Sequence, residues 1–343
     1  MVETGAYGSA KKECSTYAWG MNTSGQLGLG HVEHSFALRP IENLTSIRIR
    51  QVACGAFHTL LLSDGSGLIS FGNNKNGQLG NGTFESCSTA QFQRVMVKQI
   101  AAGYDHSLAL LDDGTALGWG NNKWGQLGLD ALTLDPEMLS FKGVVHMSCG
   151  YDHCFAIVSA QGRRNVLGFG ANGFGQLGLG NTSDVAIPTP VDKVTRVGIQ
   201  QVVCGGNHTM VLSKDKVYAF GRNDFGQLGL GDTVDVSSPQ EVRSLSRLPK
   251  LKMISSVVCG ASHSLFLTVA GELLGCGRND LGQLGLGNET VKVTLPLPIL
   301  TREVTSCVLL FSSDLLPSNS ETSKSFRWPQ ASTRSFCSAR ETS

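Results

Sequence analysis

Five histidines occupy one setting. His58, His106, His153, His208 and His263 each end a C/A-G-x-x-H motif that begins at Cys54, Ala102, Cys149, Cys204 and Cys259. Imidazole is a common metal ligand and transfers protons near neutral pH, so catalysis has to be weighed first. A catalyst needs unlike groups converging on one point. Here every histidine holds the same place in its own repeat. That predicts five equivalent structural contacts, to backbone or to a neighbouring turn, and no catalytic residue. Four of the ten cysteines recur in the same motif, and no C-x-x-C pair occurs. Equivalent positions in different repeats are expected to lie too far apart to share an ion. The thiols are therefore read as reduced, buried and packed like small apolar side chains, with no metal.

A second motif, W/F/C-G-x-N-x-x-G-Q-L-G, begins at Trp19, Phe71, Trp119, Phe169, Phe220 and Cys276. Its glycines Gly25, Gly77, Gly125, Gly175, Gly226 and Gly282 are not read as a phosphate cradle. No Lys-Ser/Thr follows them, and no strand runs into a helix there. Its asparagines (Asn22, Asn74, Asn122, Asn172, Asn223 and Asn279) are expected to shape turns by capping their own backbone two residues on. No cofactor motif and no nucleophile–base pair is present.

Recognition should reside where the repeats differ. The x-x pairs of C/A-G-x-x-H read Ala56-Phe57, Tyr104-Asp105, Tyr151-Asp152, Gly206-Asn207 and Ala261-Ser262. They are expected at a blade end, facing a rim or a central channel. Tyr104, Asp105, Tyr151 and Asp152, with Phe57 and Asn207, are the candidate partner-binding residues. Two Tyr-Asp doublets side by side would form an aromatic, acidic patch suited to a basic partner. The alternative is drift between repeats. A second variable pair precedes G-Q-L-G: Lys123-Trp124, Gly173-Phe174, Asp224-Phe225 and Asp280-Leu281. Packing between blades is the expected role of its bulky residue, and a second partner surface is the alternative.

These residues must be carried by strands. Gln201-Val202-Val203-Cys204 leads into one motif and His208-Thr209-Met210-Val211-Leu212 leads out. A turn such as Asp64-Gly65 follows, then a strand ending in Trp-Gly or Phe-Gly. After G-Q-L-G comes a polar loop and often a proline, as at Pro239, which suits an edge strand because no N–H is needed there. Each unit of about fifty residues thus supplies four short antiparallel strands, and radial stacking of such sheets buries both faces. The fold class is all-β, a β-propeller of four-stranded blades. Glycine makes up 42 of 343 residues, as an all-β chain full of tight turns requires.

The combination of W/F-G-x-N-x-x-G-Q-L-G with C-G-x-x-H resembles the regulator of chromosome condensation family, over roughly residues 15 to 307. That family's propellers usually have seven blades. Here five full units and two halves predict about six, with incomplete closure in prospect. Tyr17 to Gly20 opens mid-repeat, and 303–311 would supply the missing strands. Residues 1–14 read as an N-terminal extension, 15–311 as the propeller, and 312–343 as a Ser-rich tail expected to be disordered.

The resemblance implies two functional readings. One is a non-catalytic interaction propeller, or scaffold, that binds a protein partner through one face of the ring, with no second domain to supply an enzyme. The other is guanine-nucleotide exchange on a small GTPase. Family members with that activity use acidic residues near the x-x pairs, and Asp105 and Asp152 match such positions. The wedge that they insert in one blade has no counterpart in the six regular motifs. Light sensing through tryptophans in the x-x region is not expected, because none of the four tryptophans falls there. Net charge is +1, so no basic excess points to direct nucleic-acid binding. No secretory signal or membrane-spanning run is seen. A soluble monomer without cofactors, cytoplasmic or nuclear, is the expectation.

Overall fold

The computed structural model describes residues 16–299, apart from Ser66, Arg94, 130–131, Gln161, 196–197, Asp215, 250–252 and 288–289. The extension 1–14, the expected closing strands 303–311 and the tail 312–343 lie outside the described residues.

Five four-stranded antiparallel sheets and one two-stranded sheet follow one another along the chain. Blade 1 is β1 (Tyr17–Gly20) paired with β2 (Ser35–Pro40). Blade 2 is β3 (Ile49–Cys54), β4 (His58–Ser63), β5 (Leu68–Gly72) and β6 (Cys87–Gln93). Blade 3 is β7 (Gln99–Ala102), β8 (His106–Leu110), β9 (Ala116–Gly120) and β10 (Thr133–Met138). Blade 4 is β11 (Val144–Cys149), β12 (His153–Ala160), β13 (Arg163–Gly170) and β14 (Val185–Pro190). Blade 5 is β15 (Ile199–Cys204), β16 (His208–Ser213), β17 (Val217–Gly221) and β18 (Val236–Glu241). Blade 6 is β19 (Ile254–Cys259), β20 (His263–Thr268), β21 (Leu273–Arg278) and β22 (Lys292–Ile299). From blade 2 onward, the first two strands of each blade touch the first strand of the next.

The second and third strands read as continuous apolar runs rather than alternating ones, because a neighbouring blade covers each face. Strands β5, β8 and β9 are buried at every position. The core is therefore made between blades. Leu108, Leu110, Leu127 and Leu139 of blade 3 pack with Val144, Met147, Ala156 and Phe169 of blade 4. Prolines sit where they remove no ladder bond, on the outer strands at Pro40, Pro136, Pro188, Pro239 and Pro296.

The first G-Q-L-G glycine makes the blade-to-blade joint. Gly175 has φ +76°, and a Cβ there would lie 2.4 Å from the Cα of Ser237 on β18 of the next blade. Only glycine satisfies both the left-handed backbone and the close approach. Gly25, Gly77, Gly125 and Gly226 make the same approach to Ser88, Leu134, Ala186 and Thr294. Gly282 does not. No described residue lies within 4 Å of its missing Cβ. Phe36, which holds the place of Ser237 in blade 1, is 83% exposed. Trp19 is 47% exposed, whereas its counterparts Phe71, Trp119, Phe169 and Phe220 are buried. Among the described residues, blade 6 and blade 1 thus leave unmade the joint that every other neighbouring pair makes.

Candidate functional site

Each C/A-G-x-x-H segment is the turn between the first and second strand of its blade, in blades 2 to 6. The first strands are innermost, so the five turns converge on one axial hollow. Backbone hydrogen bonds run from turn to turn around it. Ala56 N–H donates to Tyr104 C=O (3.1 Å), Tyr104 N–H to Tyr151 C=O (2.9 Å), Tyr151 N–H to Gly206 C=O (2.9 Å), and Gly206 N–H to Ala261 C=O (3.0 Å). The turns are therefore held in one register across five blades before any side chain is considered.

That register brings the sequence-predicted aromatic residues together. Phe57 and Tyr104 meet edge to face at 6.4 Å, and Tyr104 and Tyr151 at 5.5 Å. Gly206 continues the row by having no side chain, since a Cβ there would lie 2.9 Å from the Tyr151 ring. All three rings are half-buried. The acids stand one step outward. Asp105 Oδ1 accepts from Gln78 Nε2 of the preceding blade (2.8 Å), and Asp152 Oδ1 from Gln126 Nε2 (3.2 Å). Burial raises both carboxyls above their ordinary values, and for Asp105 the charge of Asp152 adds to the rise. Burial and the two nearby acids also raise the Tyr104 phenol. Asn207 takes the equivalent place in blade 5, half-buried, with its carbonyl accepting the Arg222 N–H (2.9 Å).

The histidines lie beneath this surface. Each of His58, His153 and His208 bonds through Nε2 to a hydroxyl of the next blade: Ser107 (3.0 Å), Thr209 (3.0 Å) and Ser264 (2.9 Å). Each of those hydroxyls donates in turn to the carbonyl of the G-Q-L-G glutamine in the histidine's own blade, Gln78, Gln176 and Gln227. The partner is thus a strand hydroxyl, not the backbone or turn contact that the repeat pattern predicts. The signal for it was present in the sequence as Thr59, Ser107, Thr209 and Ser264, each directly after a motif histidine. Burial, with smaller contributions from neighbouring histidines, depresses His58, His153 and His208 to about 3. Burial brings His263 to about 4.

Blade 4 departs from this scheme. Its residue after the histidine is Cys154, which receives His106 Nε2 at 3.0 Å and lies 3.4 Å from Cys149 Sγ. His106, Cys149 and Cys154 place their ligand atoms within 4.8 Å of one another. The expectation of uniformly buried cysteines also needs correction. Cys154, Cys204 and Cys276 are buried, but Cys149 and Cys259 are half-buried and Cys54 is exposed. The last three end innermost strands and border the hollow.

Two further readings change. The motif asparagines do not cap two residues on. Asn172 Oδ1 accepts the Leu177 N–H five residues ahead, and its amide bonds the carbonyls of Asn181 and Ser183. The other five asparagines make the same bond to the leucine of G-Q-L-G. The turn and its following loop are therefore tied through a buried amide. The bulky residues before G-Q-L-G pack between blades only in part. Arg222 lies 5.0 Å over Phe174 of the preceding blade, and Arg278 5.2 Å over Phe225. Trp124, Phe174 and Leu281 nevertheless remain exposed.

The repeat matches the model of the regulator of chromosome condensation (RCC1) repeat over residues 15–62, 67–110, 113–157, 165–212 and 214–267. The chain is 36% identical over 303 residues to the ultraviolet-B receptor UVR8 of Arabidopsis thaliana, covering 85% of this chain and 67% of the receptor. It is 37% identical over 301 residues to the probable E3 ubiquitin-protein ligase HERC6 of Homo sapiens, covering 85% of this chain and spanning 24% of the ligase. Among solved structures, human WBSCR16 superposes with a TM-score of 0.73 at 29% identity, over 83% of this chain and 76% of that one.

Proposed function

Because the chain belongs to the regulator of chromosome condensation repeat family, we propose that it is a non-catalytic interaction propeller that binds a protein partner through the mouth of its axial hollow. The observation carrying this reading is the row Phe57–Tyr104–Tyr151, flanked by Asp105 and Asp152. Half-buried aromatic rings held by a backbone network lose little freedom on binding, and such rings dominate protein interfaces. Carboxylates at the rim of the row would select a basic group on the partner and set its orientation. Four of the five motif histidines, by contrast, bond across joints between blades.

The test is a quantitative one. A partner captured by the wild-type chain is purified and titrated against Tyr104→Ala, Tyr151→Ala and the double variant Asp105→Asn/Asp152→Asn. The proposal requires at least a tenfold loss of affinity in each, with the melting temperature held. Unchanged affinity in all three would remove the axial mouth from consideration.

A second reading is favoured by Asp105 and Asp152 themselves, which match acidic positions of the family's exchange factors. It is that the partner is a small GTPase whose nucleotide release this chain accelerates. Release of fluorescent GDP from a panel of small GTPases separates the two readings. Acceleration lost in Asp152→Ala selects exchange, and binding without acceleration selects the scaffold. The ultraviolet-B reading gains nothing from the hollow, where the x-x positions hold Phe57, Tyr104 and Tyr151 and no tryptophan.

A further inference from the structure

We propose that His106, Cys149 and Cys154 form a binding site for one zinc ion, held across the joint between blades 3 and 4 with a coordination position facing the axial hollow. The three donors converge from two blades. His106 begins β8, while Cys149 ends β11 and Cys154 follows His153 on β12. Cys149 and Cys154 are direct cross-strand partners, so their side chains leave the sheet on the same face. The separations are 3.0 Å from His106 Nε2 to Cys154 Sγ and 3.4 Å between the sulfurs, and all three atoms lie within 4.8 Å. Zinc bond lengths of about 2.0–2.3 Å in a tetrahedron call for donors roughly 3.5–4 Å apart. The first two separations fall roughly 0.4–0.6 Å short of the spacing such a tetrahedron needs, so the donors must spread as the ion enters.

Comparison with the other blades isolates this place. The corresponding pairs are Cys54/Thr59, Ala102/Ser107, Cys204/Thr209 and Cys259/Ser264. In each of those four the second residue donates its hydroxyl to a glutamine carbonyl of the preceding blade. Blade 4 alone among them carries two thiols, and Cys154 adds a contact with Cys149 to the histidine contact that Ser107, Thr209 and Ser264 also make. The histidine contact of the joint is kept here with a thiol in place of the hydroxyl, and a soft donor set is gained.

The chemistry of the set selects the ion. Thiolates and imidazole favour zinc-like metals over magnesium or calcium. Two thiolates, a neutral imidazole and a divalent ion sum to zero charge, which a buried site tolerates. His106 and Cys154 are fully buried, whereas Cys149 borders the hollow and gives both an entry path and room for a water as fourth ligand.

The repeat also supplies the controls. Cys154→Ser installs the hydroxyl that blades 3 and 6 already use, and Cys149→Ala installs the residue found at position 102, so both variants keep a side chain that this fold accepts. The full chain, reduced and stripped with a chelator, is titrated with Co²⁺ as a spectroscopic stand-in and then with Zn²⁺. The expected result is one tetrahedral cobalt per chain with a sulfur-to-cobalt charge-transfer band, displaced by zinc. Losing a direct ligand should weaken binding at least as much as the roughly 10–100-fold typical of losing an outer-shell partner. Both variants should therefore bind at least tenfold more weakly, with the apo melting temperature unchanged. Three results would overturn the site. The first is absence of the band in the reduced wild type. The second is the same band and affinity in both variants. The third is a Cys149–Cys154 pair that oxidises to a disulfide in air yet takes up no cobalt when reduced.

Discussion

Within one five-residue turn, the glycine and the histidine do the same work in blade after blade, while the two residues between them change. The histidine ring lies so close over its glycine that a Cβ on Gly150 would come within 2.1 Å of the His153 ring. The same closeness recurs at Gly55, Gly205 and Gly260. Between the glycine and the histidine of these turns, Phe57, Tyr104 and Tyr151 are half-buried and touch one another rather than the core. The buried tier closes each blade against the next. The exposed tier inherits a fixed spacing from it and is free to vary. Substitutions should therefore separate cleanly into those that unfold the protein and those that only blunt recognition.

The largest effect is expected at the joint glycines. Gly175→Ala meets both a left-handed backbone and the Ser237 backbone at 2.4 Å, and should cost about 3 kcal/mol or more by adding overpacking to backbone strain. Gly282→Ala occupies the same motif position with no described residue within 4 Å, so only the backbone term of about 1 kcal/mol remains. Chemical denaturation of the two variants side by side measures the difference, and equal losses would mean that blades 6 and 1 are joined after all.

Next comes His208→Ala. It empties a fully buried site and removes the histidine from the Ser264 hydroxyl, which keeps only its bond to the Gln227 carbonyl, for an expected loss of about 2–3 kcal/mol. Tyr151→Ala, one tier up, should cost under about 1 kcal/mol in stability yet lower partner affinity by about thirtyfold if the row is a hot spot. An unfolding midpoint for Tyr151→Ala as low as that for His208→Ala would erase the distinction between tiers.

Acid should act through the same buried tier. His58, His153 and His208 have folded values near 3, against an ordinary 6.5. Between those values the unfolded chain binds more protons, so stability is full above about 6.5 and falls as pH drops toward 3. Asp105 and Asp152, raised in the fold, work in the opposite sense with smaller shifts. The melting temperature should therefore decline from pH 7 to pH 5, and His208→Gln should flatten that slope. A profile level across this range would show that the histidines are not buried neutral.

The smallest effect is expected at Cys154→Ser in the metal-free protein. It should leave stability within about 0.5 kcal/mol of wild type, because it exchanges the thiol in this joint for the hydroxyl that the other blades use there.

Much of this was readable without coordinates. Six copies of one ten-residue pattern required six equivalent strand–turn units, and the unlike pairs between glycine and histidine, two adjacent Tyr-Asp doublets among them, marked the positions that vary. What sequence reasoning missed was one contact inside the repeat and the partners that side chains find in the next. The asparagine amide reaches five residues on because the G-Q-L-G turn folds back beneath it, a distance that no local pattern reports. The histidine's partner sits about fifty residues away, on a strand that only stacking brings near. Cys154 looked like an ordinary buried thiol for the same reason, since its neighbours His106 and Cys149 approach from another blade and another strand.

Periodicity and turn chemistry alone determined the kind of sheet, its number of strands and its repetition, because these follow from interactions within fifty residues. Whether blades meet, which hydroxyl answers which histidine, and where two thiols and an imidazole converge were decided by the tertiary structure. Those contacts depend on how one sheet is rotated against the next, and that rotation is a property of the packed interface, set by glycines with no room for a side chain.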